Sequence, residues 1–234
     1  AKIIKKVFTG QKLVFEWHTT AGVFLGTKEH KVFQDNERIE VQDAKTIDLI
    51  NPLRRPWELK EPALEHKCKA IIDGLTLGDG SVHKASNNLI GLHIGENDHD
   101  YLSNEVAIYI GSHRPGISNT FYEVLTTLKA DELPFTYKRS VPAKYKFANF
   151  NTIRFFLRGL YSANGSICGR RVTLKSTSKD LILDVQQMLS ALGIRSYYTT
   201  NKPSTIQFKN GEYTCRESYD LNISTDRKKF RELI

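Results

Sequence analysis

The sequence predicts an α+β protein built from two copies of one helix–β-hairpin–helix unit, preceded by a small all-β region. Residues 1–50 alternate apolar and polar positions in short runs, which is the pattern of half-buried strands. From residue 63 onward, runs with helical spacing are interleaved with strand-like runs. The phrase GLTLGDGS at 74–81 returns 85 residues later as GLYSANGS at 159–166. A period of this length is too long for a solenoid, so we expect an internally duplicated domain with pseudo-twofold symmetry.

The composition is that of an ordinary globular protein, and its charge favours an anionic partner. The chain has 234 residues, of which 40% are hydrophobic and 26% charged, enough for one large domain or two modest ones. Its formal net charge of +8 favours nucleic acid as the partner. We expect no membrane span, because no apolar run approaches the roughly 20 residues that a span needs.

The cysteines indicate a reduced protein. Cys68, Cys168 and Cys215 are few, odd in number and widely spaced, and no CxxC pair occurs. A disulfide framework or a zinc site is therefore not expected, and a reducing cytoplasm fits best.

The predicted domain boundaries follow changes in the pattern of apolar, polar and proline residues. Residues 1–50 form the small β region. Residues 51–62, NPLRRPWELKEP, carry three prolines and read as a linker. Residues 63–234 form the duplicated domain, with halves at 63–149 and 150–234.

In the first half, the predicted elements begin with a helix and a β-hairpin. The helix covers 63–78, and the hairpin covers 81–95 with its turn at Asn87-Asn88. Two further helices are predicted at 98–113 and 118–130, the latter weakened by its β-branched residues.

The second half repeats this order. A helix is predicted at 151–163 with Asn151 as its N-cap, followed by strands within 166–177. The clearest helix runs from the N-cap Ser178 to the C-cap Gly193. Three strand-like runs and a last helix follow, at 195–201, 205–216, 218–224 and 225–234.

Small residues in the repeated phrase predict that the two helices pack closely. Gly74 and Gly78 are four residues apart in the first copy, as are Gly159 and Ala163 in the second, so each pair shares one helix face. Glycine inside a helix costs about 1 kcal/mol relative to alanine, which close backbone approach can offset. We therefore expect the helices to pack against each other across the pseudo-twofold axis.

That packing would bring together Asp79 and Asn164, which end the two helices. A helix C-terminus carries partial negative charge, so an acid placed there favours a bound cation. Oxygen ligands at a place where two helix ends meet suit Mg²⁺, which keeps several of its water ligands. The sequence thus predicts a divalent metal site.

The two phrases resemble a known family. IIDGLTLGDGSV and FFLRGLYSANGSI are similar to the two motifs of a single-chain LAGLIDADG homing endonuclease of the intein-encoded type. The resemblance covers about 63–234 and implies a duplicated αββαββα fold with pseudo-twofold symmetry. It also implies sequence-specific cleavage of double-stranded DNA with Mg²⁺ or another divalent metal, by a monomer acting as a pseudo-dimer.

The resemblance also implies site residues. Asp79 and Asn164 occupy the motif acid positions and would be catalytic metal ligands. In YKRSVP, Lys138 would activate the attacking water and Arg139 would contact DNA. Asn164 departs from the family's acid, so we expect weakened cleavage. A DNA-binding or maturase-like protein without nuclease activity remains the alternative.

The predicted DNA contacts lie on the hairpins after each motif and in the linker, because Arg, Lys, Asn and Gln read base edges and phosphates. They are His83, Lys84, Ser86, Asn87, Asn88 and His93, then Arg170, Arg171, Thr173, Lys175 and Ser176, then Lys202, Gln207 and Lys209, with Arg54, Arg55 and Lys60 in the linker.

The first region resembles part of a Hint (intein splicing) domain. The run TAGVFLGTKEHKVFQDNERIEVQDAKTIDL contains Thr27 and His30 in the spacing of that family's Thr-x-x-His motif. The printed chain shows neither a Cys or Ser at its start nor a terminal His-Asn pair. We therefore do not expect it to splice as printed, and a fragment of a splicing intein stands as a third interpretation.

Overall fold

The structure is a computed structural model in which contacts divide the chain into two units, Ala1–Asn51 and Pro52–Ile234. None of its described helices has the length and apolar character needed to cross a membrane. The residues described are 4–8, 10–20, 22–48, 64–83, 89–95, 110–115, 119–208 and 210–234.

The first unit contains two β-hairpins. Strands β1 (Phe15–Thr19) and β2 (Gly22–Gly26) pair antiparallel, as do β3 (Lys31–Gln34) and β4 (Glu37–Glu40). The turn between β3 and β4 is Asp35-Asn36, and both residues have positive φ. Asp and Asn tolerate this left-handed conformation, which a two-residue hairpin turn requires. Two hairpins do not define a Hint-like fold, which stays a prediction.

The second unit begins with a helix followed by an antiparallel sheet. Helix α1 (Leu64–Asp79) precedes β5 (Ser81–His83), β6 (Leu89–Gly95), β7 (Ile110–Pro115) and β8 (Asn119–Val124). The strand order is β5-β6-β8-β7. Leu92 and Ile94 of β6 enter the core, whereas His93 between them is exposed, as alternation along a strand requires.

Two predicted helices in this half are contradicted at the residues that the structure describes. The end of the predicted helix at 98–113 is strand β7, and residues 98–109 lie outside the described residues. The predicted helix at 118–130 is strand β8 followed by irregular chain. Thr120 and Val124 are β-branched and Phe121 is aromatic, so the run suits a strand, and pairing with β6 stabilises that form.

A short connection joins the halves. It contains 3₁₀ turns at Ala130–Glu132 and Thr136–Lys138 and one turn of helix, α2 (Ala143–Lys146).

The second half repeats the helix-then-sheet order. Helix α3 (Phe150–Asn164) is followed by β9 (Gly165–Cys168), β10 (Arg171–Ser176) and α4 (Lys179–Ala191). The predicted N-cap Asn151 is wrong: the side chain of Asn149 accepts the hydrogen bond from the amide of Thr152, so the helix begins two residues earlier.

The N-cap of α4 agrees with the prediction, and its C-cap lies one residue before the predicted Gly193. The Ser178 hydroxyl accepts from the amide of Leu181 and caps the start of the helix. Gly193 has φ of 69° directly after the C-cap Leu192, the left-handed position that glycine fills at helix ends.

The remaining strands complete a second sheet and a separate hairpin. The sheet has the order β11-β14-β10-β9, with β11 (Tyr197–Asn201) and β14 (Ser218–Ile223) antiparallel. Strands β12 (Ser204–Phe208) and β13 (Gly211–Cys215) form the hairpin, and helix α5 (Arg227–Leu233) closes the chain. The mixed α and β composition that the sequence predicts is confirmed.

One hydrophobic core joins the two halves. Helices α1 and α3 contribute fully buried residues such as Ile71 and Phe156. Helix α4 adds Ile182 and Leu189, and the second sheet adds Leu221. Each sheet therefore covers the helices with one face and leaves the other face outside the core.

The buried carboxylate of Asp73 links α1 to the segment between β8 and α3. Asp73 is 0% exposed. Its carboxylate accepts hydrogen bonds from the Thr126 hydroxyl (2.6 Å), the Thr127 amide (2.9 Å) and the Tyr145 hydroxyl (2.6 Å), and the Thr127 hydroxyl is a further donor. The Lys144 ammonium lies 3.7 Å away. Burial, and then the charge of Asp73, raise the pKa of Tyr145, which keeps its phenol protonated and donating.

Asp73→Asn is expected to lower the free energy of unfolding by about 3 kcal/mol, because the new amide NH₂ would face donors instead of accepting from them. Urea denaturation measures the loss. The control is Asp131→Asn at an exposed position, which should change stability by less than about 0.5 kcal/mol. Equal losses in the two variants would contradict the linking role.

Candidate active site at the paired helix ends

Helices α1 and α3 approach each other through two glycines. A β-carbon on Gly74 would overlap the carbonyl oxygen of Phe156, and one on Gly159 would overlap the carbonyl oxygen of Ile71. The contacts are reciprocal, since Gly159 and Phe156 each lie 85 positions after Gly74 and Ile71. The helices thus meet backbone to backbone across a local pseudo-twofold axis, in the arrangement that the small residues predict.

We call this contact between α1 and α3 the seam. Towards the C-terminal ends of the two helices, the two motif ends meet at the seam. A β-carbon on Gly78 would overlap both the Asn164 side-chain oxygen and the Ala163 β-carbon. The amide oxygen of Asn164 therefore lies against the residue that precedes Asp79. Because Gly78 adjoins Asp79, both motif ends lie at the same end of the helix pair, where Asp79 is exposed and Asn164 is half-buried.

The donors at this end fit a hard divalent cation. They are the Asp79 carboxylate and the Asn164 amide oxygen, both hard oxygen donors. Among the described residues, no group of three or more His, Cys, Asp or Glu side chains could hold a metal by itself. A small set of oxygens suits an ion such as Mg²⁺, which retains waters and binds phosphate oxygens. Only Asp79 supplies a formal negative charge.

Arg139 lies against the end of α1. It is 6% exposed, and its guanidinium donates to the carbonyl oxygens of Leu77 (2.6 Å), Gly78 and Gly80 (2.6 Å). Burial lowers the pKa of Arg139, and the charge of Asp79 acts in the opposite direction. This placement does not fit the predicted DNA contact, because the charged fork is buried and bonded to the protein's own backbone.

Lys138, its neighbour, is exposed. Its ammonium lies 5.9 Å from the ring centroid of Tyr137, which stacks on Phe135 and is covered by the Arg216 guanidinium at 4.3 Å. This cationic and aromatic cluster was not predicted. The aromatic pair was visible in PFTYKR, but Arg216 is distant in sequence.

On the first sheet, the structure brings two predicted DNA contacts together. The rings of His83 and His93 both pack on Phe121, with centroids 4.8 and 5.2 Å away. Both imidazoles therefore lie on one face of this sheet. The other predicted contacts here and in the linker lie outside the described residues: Lys84, Ser86, Asn87, Asn88, Arg54, Arg55 and Lys60.

On the second sheet, alternate residues of β10 form a basic row. Arg171 and Lys175 are exposed, and Leu174 on the opposite face is fully buried. Thr173 lies in the same row but is 6% exposed and donates its hydroxyl to the Asn222 side-chain oxygen at 3.0 Å, so it does not fit a direct DNA contact. Ser176, in the next strand position, is half-buried and accepts from the amide of Ser178.

The remaining predicted DNA contacts lie in the β9–β10 turn and in or next to the β12–β13 hairpin. Arg170 is exposed in the β9–β10 turn, Lys202 precedes β12, and Gln207 is exposed on β12. Lys209 lies outside the described residues.

Comparison with known proteins finds similar solved structures. No curated protein matches the chain. Mesophilic variants of the homing endonuclease I-DmoI have a similar structure, with 20% identity, a TM-score of 0.47, and coverage of 73% of this chain and 96% of that chain. I-DmoI in complex with DNA and Ca is 20% identical with a TM-score of 0.46, covering 72% and 89%. The N-terminal LAGLIDADG domain of DUF199/WhiA is 13% identical with a TM-score of 0.45, covering 76% and 84%.

The sequence of the second half matches a family directly. Residues 151–234 agree with the profile of the LAGLIDADG-like domain. This range contains all of α3 except its first residue, including Gly159 and Asn164 on one side of the site. It also contains the sheet that carries the basic row of β10. Residues 151–234 are thus similar to the LAGLIDADG-like domain.

Proposed function

We propose that the chain is a sequence-specific double-stranded DNA endonuclease of the LAGLIDADG homing type, acting as a monomer with two pseudo-equivalent halves. The observation that carries the proposal is the seam, which places Asp79 and Asn164 at one end of the α1–α3 pair. The LAGLIDADG-like domain at 151–234 supports it from sequence. The net charge of +8 supports an anionic partner.

In this proposal, Asp79 and Asn164 hold Mg²⁺ or another divalent metal through their side-chain oxygens. When bound, the metal activates water and stabilises negative charge on the phosphate and leaving oxygen. Lys138 orients the attacking water by a hydrogen bond from its exposed ammonium. Because Asn164 is neutral, the site has one formal charge instead of two, and we infer that cleavage by this chain is slow.

The outer faces of the two sheets would bind DNA. His83 and His93 lie on the outer face of the first sheet. Arg171 and Lys175 lie on the outer face of the second sheet. Side chains that project from a strand can enter the major groove, where base edges distinguish all four base pairs. Basic residues around them contact phosphates and set the register.

Selection of bound sites from a pool of random DNA duplexes tests the proposal. The protein is expected to enrich one long target, and that target should then be cut in Mg²⁺ but not in EDTA. Retention of all duplexes equally would contradict sequence-specific binding, and cutting in EDTA would contradict the metal.

The Lys138 role has its own test. Lys138→Gln is expected to slow cleavage of the selected target by about 100-fold with little loss of DNA affinity, since the amide cannot serve as the charged hydrogen-bond donor. The control is Lys228→Gln, which removes an exposed charge from α5. A parallel loss in binding and cleavage would instead identify Lys138 as a phosphate contact.

A DNA-binding or maturase-like protein without nuclease activity is the second candidate. The neutral Asn164 at the motif acid position favours it, because a site that only binds DNA has no need of a second acid. Under this alternative the selected target is bound but remains uncut even when the acid is restored.

For the first unit, we propose descent from a protein-splicing element. Thr27 and His30 form a closed turn between β2 and β3, with the His30 amide donating to the Thr27 carbonyl at 3.1 Å. The His30 ring packs on Phe24 at 5.9 Å. The sequence of the full-length precursor tests this: a Cys or Ser before the unit and a terminal Asn after the nuclease domain would support splicing, and their absence would contradict it.

A further inference from the structure

The C-terminal end of α1 depends on a side chain from elsewhere in the chain. The last carbonyls of a helix have no partner within it. In α1 the last turn contains no basic residue, and of these groups the Thr76 carbonyl accepts from the Gly80 amide at 2.8 Å. The Arg139 guanidinium supplies donors to the carbonyls of Leu77, Gly78 and Gly80. These bonds fix the backbone on both sides of Asp79.

The backbone around Arg139 is in turn anchored to the second half. The Arg139 carbonyl accepts from the hydroxyl of Ser178, the N-cap of α4. Two residues later, the Val141 amide donates to the Asp184 carboxylate at 2.9 Å. One residue thus bonds to the end of α1 through its side chain and to the start of α4 through its main chain.

The chemistry of this contact is specific to arginine. A guanidinium offers five donors in a rigid planar fork and stays charged, whereas an ammonium is a compact point charge. Here Nη1 donates to the carbonyls of Leu77 and Gly78 and Nη2 donates to the carbonyl of Gly80, so one planar fork reaches three carbonyls of one turn. The buried cation also lies close enough to Asp79 for the two charges to interact.

We propose that Arg139 is a positioning residue for Asp79: it holds the backbone of the Leu77–Gly80 turn in the geometry that presents the carboxylate to the divalent cation. The proposal rests on the proposed function, because it deepens the metal role of Asp79. It excludes Arg139 from contact with DNA.

The test separates metal binding from stability. Mn²⁺ affinity is measured by electron paramagnetic resonance on the protein bound to its selected duplex, well below the unfolding temperature. Arg139→Gln is expected to weaken Mn²⁺ binding by about tenfold, and Arg139→Lys by less, since supporting contacts behind a metal ligand typically have effects of this size. In the Asn164→Asp background, the metal concentration for half-maximal cleavage should rise by a similar factor, with DNA affinity unchanged.

The matched control is Arg195→Gln, which removes another arginine that bonds within the second unit, to Asp226. It should leave Mn²⁺ affinity unchanged. A lower unfolding temperature with unchanged Mn²⁺ affinity in both Arg139 variants would overturn the proposal, because Arg139 would then be structural only. Weakened DNA binding with unchanged Mn²⁺ affinity would also overturn it.

Failure of the proposed function gives a different result. If the Asn164→Asp protein binds Mn²⁺ but does not cut, the nuclease proposal fails, and a tenfold loss of Mn²⁺ affinity in Arg139→Gln still supports the positioning role. If Asp79→Ala leaves Mn²⁺ affinity unchanged, the metal role of Asp79 is wrong and the inference falls with it.

Discussion

Asn164→Asp is expected to raise the rate of cleavage of the selected DNA target in Mg²⁺ by about 100-fold or more. Preorganised charge at a reacting phosphate commonly contributes a factor of this size. Aspartate has nearly the shape of asparagine, and the Asn164 oxygen already lies against Gly78. The substitution therefore changes the charge at the helix ends without changing the packing.

The same change has a measurable effect on stability. Without metal, a second carboxylate at a helix C-terminus beside Asp79 should cost about 0.5–1 kcal/mol. Mg²⁺ should raise the unfolding temperature of the variant more than that of the native protein, because a ligand stabilises the state that binds it.

The control for this prediction is Asn149→Asp, which adds the same charge to the opposite end of α3. Asn149 is the exposed N-cap, where aspartate is well tolerated. Cleavage should not change in this variant. An Asn164→Asp protein that binds its target and cuts no faster than the native chain would favour the DNA-binding alternative.

Gly159→Ala is expected to lower the free energy of unfolding by about 3 kcal/mol, the upper part of the range for overpacking. The new β-carbon would overlap the Ile71 carbonyl oxygen and lie 2.9 Å from the Leu75 amide nitrogen. Both are backbone atoms, so the strain is relieved only by moving one helix away from the other. Alanine's better helix propensity recovers about 1 kcal/mol at most.

Urea denaturation measures this loss, and Gly74→Ala should show a similar one because its contacts are the reciprocal ones. Gly169→Ala is the control: this glycine has φ of 59° and no atom within 4 Å of the added carbon, so only the backbone cost of about 1 kcal/mol applies. Similar losses at Gly159 and Gly169 would show that the helix pair tolerates separation.

The sequence predicted the seam because its determinants are local and repeated. Glycine spacing within each phrase predicts close helix approach without knowledge of the rest of the chain. The strands of the second half were predicted for a similar reason, since alternation and turn residues are short-range signals. The strand at Asn119–Val124 was missed although its residues suit a strand, because the pairing with β6 that stabilises it is not visible in the local sequence.

The contacts of Arg139 and Asp73, which support the candidate site, could not be predicted from local sequence patterns. Arg139 bonds to carbonyls 59 to 62 residues earlier, and the donors to Asp73 lie 53 to 72 residues away from it. Asp73 looks like an ordinary helix acid and Arg139 like an ordinary surface cation. Only the folded chain shows that one is a buried link and the other a helix cap.

The reciprocal glycine contacts make the seam an isologous interface, the kind that two identical subunits form about a twofold axis. In a homodimer, every substitution at such an interface appears twice. In a single chain it appears once, so each side can change while the other is kept. Asn164 lies 85 positions after Asp79, so the two equivalent positions at the helix ends carry an amide and an acid. Covalent linkage of the halves thus allows one position to differ from its counterpart, a state that a homodimer of either half could not reach.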